Sequence, residues 1–312
     1  MLAFVKSAAV WSVLCSGVAF AEVPDEEEPP ARTDTATGAQ LGPQPTPVKA
    51  YNLYSLLGAE DRRVDLARRH AEGGSFPELL ERVTRPFVGA PYLLSALGEG
   101  VPPDPDPRFR ADSFDCTTFV ETALAFARCS DFERAVSLLD RIRYAGEPSF
   151  AARRHLIVAQ WLPGLQAAGF LEDITETLEG ATAIELDLDE KRWARRRIAR
   201  GLILPEDKVP KGVFRVPLIP IEVLAGHAER VPPGTLLNVV RIDVPWSPVL
   251  ITHLGLVLLP RGETIRIVRH ASPVAKRVVD EPLEAMLRRY LKPRAWKIAG
   301  INLQRIVDPS SE

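Results

Sequence analysis

Ile251-Thr252-His253-Leu254-Gly255-Leu256-Val257, then Pro260-Arg261-Gly262-Glu263, then Thr264-Ile265-Arg266-Ile267-Val268-Arg269-His270: these residues decide the fold. Two runs rich in Val, Ile and Leu flank a turn bearing Pro and Gly, the pattern of a β-hairpin. With Arg261 and Gly262 as the loop, Leu259 faces Thr264, Val257 faces Arg266, Gly255 faces Val268 and His253 faces His270. Opposed residues share one face of the pair, with Cβ atoms roughly 4.5–5.5 Å apart. Two imidazoles then touch, one able to act as a base and the other to orient it. Gly255 leaves that face open beside His253. A three-residue loop would shift one strand by a residue and break the pairing.

Outward from the hairpin, whose arms run from Leu250 to Leu259 and from Glu263 to His270, Val213 to Ile219, Thr235 to Ile242 and Trp296 to Val307 read as further strands. Upstream the pattern is helical: about 52–100, with turn signals at Gly73-Gly74 and Pro86, then Asp115 to Arg128, Asp131 to Arg143 and Ser149 to Trp161. Val101 to Pro107 carries four prolines and reads as an irregular loop. Asp187 to Arg200 is a charge-rich helical stretch with Lys191, Arg192, Arg195, Arg196, Arg197 and Arg200, expected to be a solvated face. Helices first and an antiparallel sheet later predict an α+β fold. No internal repeat, phosphate-binding glycine loop or metal-spaced Cys/His cluster occurs, so no metal or cofactor is expected.

The whole chain has 312 residues, 39 Lys plus Arg against 41 Asp plus Glu, and a net charge of −2. That balance argues against a nucleic-acid partner, which needs a positive field. Lys6, the apolar run Ser7 to Phe20 and Ala19-Phe20-Ala21 have the order of a secretory signal, with cleavage expected after Ala21. Leu14 before Cys15 argues against a lipid anchor. Glu22 to Ala50 holds Glu26-Glu27-Glu28 and six prolines, and reads as a spacer too polar to fold. Residues 51–312 are expected to form one exported domain, periplasmic or secreted, without a membrane span and monomeric.

Two cysteines remain after cleavage, Cys116 and Cys129. On one helix they stand roughly 20 Å apart, too far for a disulfide. A free thiol in an oxidising compartment calls for an explanation. Cys116 opens its helix in Ser113-Phe114-Asp115-Cys116-Thr117-Thr118, where Asp115 or Ser113 can cap the first turn. The positive end of the helix favours a thiolate, and its unpaired N–H groups can hold an oxyanion. Val120, Ala123, Leu124 and Ala127 extend an apolar face from Cys116, so a buried, inert cysteine fits the pattern equally well. Cys116 with His253 and His270 would make a nucleophile, a base and an orienting group.

These residues resemble the NlpC/P60 papain-like cell-wall hydrolases. A narrower resemblance rests on Gly89-Ala90-Pro91-Tyr92, Asp115-Cys116-Thr117-Thr118-Phe119-Val120-Glu121, Arg143-Tyr144, Arg154-His155, Trp161, Glu172-Asp173-Ile174-Thr175, Thr252-His253-Leu254-Gly255 and His270-Ala271-Ser272. In this order they are similar to the DUF1460 family of N-acetylmuramoyl-L-alanine amidase-like proteins, from about Ser75 to Val307. The resemblance implies a papain-like NlpC/P60-type fold, with N-terminal helices packed on an antiparallel sheet or partial barrel. It implies cleavage of the amide between the muramoyl lactyl group and L-alanine, on peptidoglycan or muropeptide fragments. Cys116 would be nucleophile, His253 base and His270 third member. Tyr92, Asp115, Arg154 and Ser272 would support substrate or site, although a structural ion pair is the blander expectation for Arg154. Cleavage within the stem peptide, at γ-D-glutamyl-diaminopimelate, is the alternative on the same triad; a non-catalytic wall-binding module is another. His155 is expected to be structural, His70 and His227 surface residues and Cys129 core. Leu254 stands where Val or Ile is common, and Thr177 to Val209 looks like an insertion.

Overall fold

The computed structural model describes residue 54 and residues 57–195, 202–292 and 297–309. The expected signal and spacer, together with Arg196, Arg197, Arg200 and Trp296, lie outside these residues.

Among the described residues, Tyr54 is helical and two helices with full bounds follow, α1 (Ala59–Ala71) and α2 (Phe76–Thr84). A capping box starts α2: Ser75 N donates to Glu78 Oε2 at 2.7 Å. The helical pattern expected to reach residue 100 stops at a 3-10 turn, Arg85–Phe87. Gly89, at φ +90°, turns the backbone into the sheet, where its N–H bonds Val278 O at 2.9 Å. α3 (Cys116–Arg128) and α4 (Phe132–Arg143) then pair as a helical hairpin. Every residue of α3 before Arg128 is buried, so this helix lies in the core rather than on it.

Ser149 to Trp161 departs from the expected helix. It holds a 3-10 turn (Phe150–Ala152), an extended piece, and a π-helical turn (Ile157–Trp161) that leads into α5 (Leu162–Ala167). The cause is partners outside the segment: the Arg153 side chain is drawn out to the buried Glu99, at 2.8 and 2.7 Å, and the Arg154 backbone N–H pairs with Arg143 O at 2.8 Å. β1 (Leu171–Asp173) and β2 (Thr182–Leu188) follow, then α6 (Glu190–Arg195). Asp187 is thus in a strand rather than a helix. On α6 Arg192 is not a solvated residue, because it makes a two-pronged ion pair with Asp243 at 2.6 and 2.8 Å. The chain continues through β3 (Gly212–Leu218), α7 (Ile221–Ala225), β4 (Thr235–Arg241), β5 (Ile251–Leu258), β6 (Ile267–Ser272), β7 (Arg277–Pro282), α8 (Leu283–Tyr290) and β8 (Ile298–Ile306).

Six strands form one antiparallel sheet in the order β1-β8-β4-β5-β6-β7, while β2 and β3 form a separate ribbon. β1 and β7 stay at opposite edges, so the sheet is open and no barrel closes among the described residues. The mixed α+β architecture expected from the sequence is present. Leu236, Leu254, Leu256 and Ala271 pack on the α3 side. Leu237, Val239, Val257, Val268 and Ile301 pack on the other side with Leu224 of α7 and Met286 and Leu287 of α8. With both faces covered, β4 is buried along its whole length.

Candidate active site

Asp115 rather than Ser113 caps α3. Its Oδ1 accepts from Thr118 N at 2.8 Å, while its own N–H donates to Thr118 Oγ1 at 2.9 Å. Its Oδ2 accepts from Ser95 N at 3.0 Å. Ser95 has φ 52°, a left-handed conformation uncommon for a non-glycine residue, and this bond holds it there. Asp115 therefore fixes both the first turn bearing Cys116 and the loop beside it. Tyr92 joins the same construction: it bridges Phe114 in parallel, its N–H bonds Lys276 O at 2.9 Å, and its half-buried ring packs on the core.

Cys116 is free, as is Cys129 at the far end of the helix. The Leu254 N–H of β5 bonds the Cys116 thiol, so the sulfur lies against the residue that follows His253. The helix end was expected to favour a thiolate. Burial first, and the Asp115 carboxylate second, instead push the thiol up to about 12, outweighing the backbone N–H groups. Burial, His270 and Arg289 hold His253 well below an ordinary imidazole. The resting pair is accordingly a neutral thiol and a neutral imidazole.

The two histidines meet, although not in the expected register. Leu258 faces Ile267, Val257 faces Val268 and Leu256 faces Arg269. Continued, this register sets His270 opposite Gly255 and Ser272 opposite His253, two residues from the hairpin pairing read in the sequence. The Pro260–Glu263 turn does form, closed by Glu263 N to Pro260 O at 3.0 Å. Thr264, Ile265 and Arg266 do not pair back onto β5, however, and Arg266 is turned away to Val231 O at 2.6 Å. A slip of two preserves the face, so the imidazoles become diagonal neighbours. His253 Nε2 lies 2.7 Å from His270 Nδ1, with the rings nearly perpendicular at 85°. Gly255 is needed because a Cβ there would sit 2.5 Å from Val268 Cγ1 and 3.1 Å from His270 Cβ. Just before His253, the β4–β5 register slips at Val239–Val240 and leaves Thr252 as the extra residue of a bulge, which re-aims the histidine.

The sequence reading missed Glu281. It stands opposite Val268 on β7 and so lies diagonally across from His270. His270 Nε2 is 3.4 Å from Glu281 Oε2, too poorly aligned for a full hydrogen bond, and makes no other one among the described residues. Arg289 of α8 grips the same carboxylate at 3.0 and 2.6 Å. Burial opposes the charge on Glu281, but the nearby His270 and the bonds from Arg289 outweigh it and hold the carboxyl at about 2. The available signal was Val278-Val279-Asp280-Glu281, a short apolar and acidic run after His270-Ala271-Ser272.

The remaining expected residues divide. Ser272 ends β6, and its Oγ accepts from Ala275 N at 3.1 Å, closing the turn to β7. Arg154 makes no ion pair among the described residues. Its Nη1 serves carbonyls at the end of α4, Arg141 O at 2.9 Å and Ile142 O at 3.0 Å, with Tyr144 O as a third. That is a helix-end role. His155 bonds Phe150 O at 2.6 Å and is structural. His70 is half-buried, bonding Phe126 O at 2.8 Å, rather than a surface residue, whereas His227 is exposed. Arg143, Trp161 and Glu121 form one buried network, with Trp161 Nε1 donating to Glu121 Oε1 at 2.9 Å. Asp173 and Thr175 join Asn302 in another, at 2.8 and 3.0 Å.

A sequence model for AmiA-like proteins, described as N-acetylmuramoyl-L-alanine amidase-like, matches residues 82–292. A Legionella pneumophila structure of the DUF1460 family superposes with a TM-score of 0.66 at 23% identity, covering 80% of this chain and 95% of that one. An N-acetylmuramoyl-L-alanine amidase from Bacteroides uniformis gives 0.53 at 19% identity, covering 80% and 100%. A Bacteroides fragilis protein named as a candidate xylanase gives 0.55 at 25% identity, covering 72% and 99%. No curated protein matches. The two likenesses at the lower identities concern the fold, while the sequence match spans the helix start at Cys116, both histidines and Glu281. The chain belongs to the AmiA-like family of N-acetylmuramoyl-L-alanine amidase-like proteins.

Proposed function

We propose that this chain is a cysteine-dependent hydrolase that cleaves the N-acetylmuramoyl–L-alanine amide of peptidoglycan or its fragments, on a papain-like NlpC/P60-type scaffold and after export. The observation that carries the reading is the 2.7 Å contact of His253 with His270, on the strand whose next residue binds the Cys116 thiol. His253 Nδ1, the nitrogen that His270 does not engage, takes the thiol proton as the sulfur attacks the lactyl carbonyl. The neutral resting pair suits this order, because charge separates only as the bond forms. N–H groups at the start of α3 receive the oxyanion. The imidazolium then returns its proton to the leaving L-alanine nitrogen, and the C–N bond breaks. Water, deprotonated by His253, attacks the thioester and releases the muramoyl acid and the free thiol.

Glycoside hydrolysis would call for two carboxyl groups flanking the scissile bond. Two carboxylates beside the candidate residues are committed elsewhere, Asp115 to the helix cap and Glu281 to Arg289. Digestion of a defined muropeptide, read by mass spectrometry, tests the assignment. The expected products are glycan ending in a free lactyl carboxylate and intact stem peptide. A cut within the stem would move the activity to the endopeptidase class, and binding without any product would make the chain a wall-binding module.

A further inference from the structure

The site extends beyond two histidines. His253, His270 and Glu281 step diagonally across β5, β6 and β7, and Arg289 of α8 closes the row. A row of this kind has a tautomer problem. Each neutral imidazole carries one N–H, and the shared contact between His253 Nε2 and His270 Nδ1 accepts only one proton. If that proton sits on His270, then His253 carries its own on Nδ1 and cannot accept one from the thiol. If it sits on His253 Nε2, Nδ1 has a free lone pair and His270 carries its proton on Nε2. The second arrangement is the one that works, and His270 alone does not select it.

We infer that Glu281, clamped by Arg289, is a positioning residue that fixes the tautomers of both histidines, and so keeps His253 Nδ1 open as the base for Cys116. This rests on the cysteine-hydrolase reading above. The carboxylate lies 3.4 Å from His270 Nε2 and favours a proton there, whereas a bare nitrogen lone pair would face negative charge. Among the described residues His270 Nε2 has no other hydrogen-bond partner that competes for it. With its proton on Nε2, His270 accepts through Nδ1, and His253 must donate. Arg289 bonds both carboxylate oxygens and holds the group against rotation. The row transmits orientation and moves no net proton.

Glu281→Ala and Glu281→Gln test this beside Cys116→Ser in the full chain, with kcat, KM, iodoacetamide alkylation of Cys116 at neutral pH, and the melting temperature. Glu281→Ala is expected to lower kcat by on the order of a hundredfold, with KM unmoved and alkylation slowed. Glu281→Gln, which keeps an oxygen acceptor, is expected to recover part of both rates. Wild-type kcat and alkylation in Glu281→Ala would overturn the inference. So would a loss that follows the melting temperature with Gln no better than Ala, since that marks a structural residue. Full activity in Cys116→Ser would instead overturn the cysteine reading itself, whatever Glu281 does.

Discussion

Cys116 and His253 show how a residue's surroundings can reverse what its position suggests. A helix N-terminus is worth typically 0.3–1 kcal/mol to a nearby negative charge. Full burial and a buried Asp115 carboxylate work against that charge and prevail, so the thiol rests protonated. His155 follows the same rule in a structural setting. Burial lowers its imidazole to about 4 although the bond to Phe150 O opposes this. The unfolded chain protonates His155 near the ordinary value of about 6.5, and the folded chain does so only near 4. Between these values the unfolded state binds more protons, so stability falls as the pH drops. The stability of wild type relative to His155→Phe should decline by on the order of 3 kcal/mol from pH 7 to pH 4. Urea unfolding at several pH values checks this, and a constant difference would refute it. Cys116, His253 and His270 could be named as candidates from the sequence because their residue types stand at a helix start and on strands. Glu281 could not, because its place depends on a cross-strand diagonal that only the register of β6 with β7 creates.

At the scale of elements, α3 was readable nearly to the residue, since an aspartate cap precedes an unbroken apolar periodicity. That cap gives a prediction. Asp115→Ala removes the acceptor for Thr118 N and for Ser95 N, and should cost about 1–2 kcal/mol of stability. It should also reduce hydrolysis, because the turn that carries Cys116 loosens. Thermal unfolding and turnover measured together check it, and unchanged values for both would contradict it. The hairpin shows the limit of pattern reading. Turn chemistry located the Pro260–Glu263 turn, but Arg266 bonds Val231 O instead of rejoining the ladder, and the register moved by two. The face survived because side chains alternate with a period of two. Ser149 to Trp161 misled for a different reason: helical periodicity there yields to buried charge partners distant in sequence, Glu99 above all. β1 and β7 are short, and their neighbours define them more than their own residues do.

In the whole molecule α2 and α3 pack on one face of the sheet, and the bonds joining these layers matter most. Arg269, next to His270, is 2% exposed. It bonds Glu81 O and Thr84 Oγ1 of α2 at 2.9 Å each, and Asp280 of β7 at 2.7 and 2.8 Å. Arg269→Leu leaves Glu81 paired with Arg85 alone and Thr84 without this partner, and should destabilise the fold by about 1–3 kcal/mol, seen as a lower urea midpoint; an unchanged midpoint would refute it. The order of layers, helices first and antiparallel sheet second, was legible from composition and periodicity along the chain. The two-sided burial of the sheet was not, since α7 and α8 are short and add their cover late in sequence. What the architecture holds is one cysteine thiol against the Leu254 N–H of β5 and two histidines in contact across β5 and β6. The most direct test follows release of L-alanine amine from an N-acetylmuramoyl-L-alanine substrate by wild type and by Cys116→Ala of equal melting temperature. The account predicts steady release by wild type and a loss of about a thousandfold or more in the variant. Release by Cys116→Ala at the wild-type rate would contradict it.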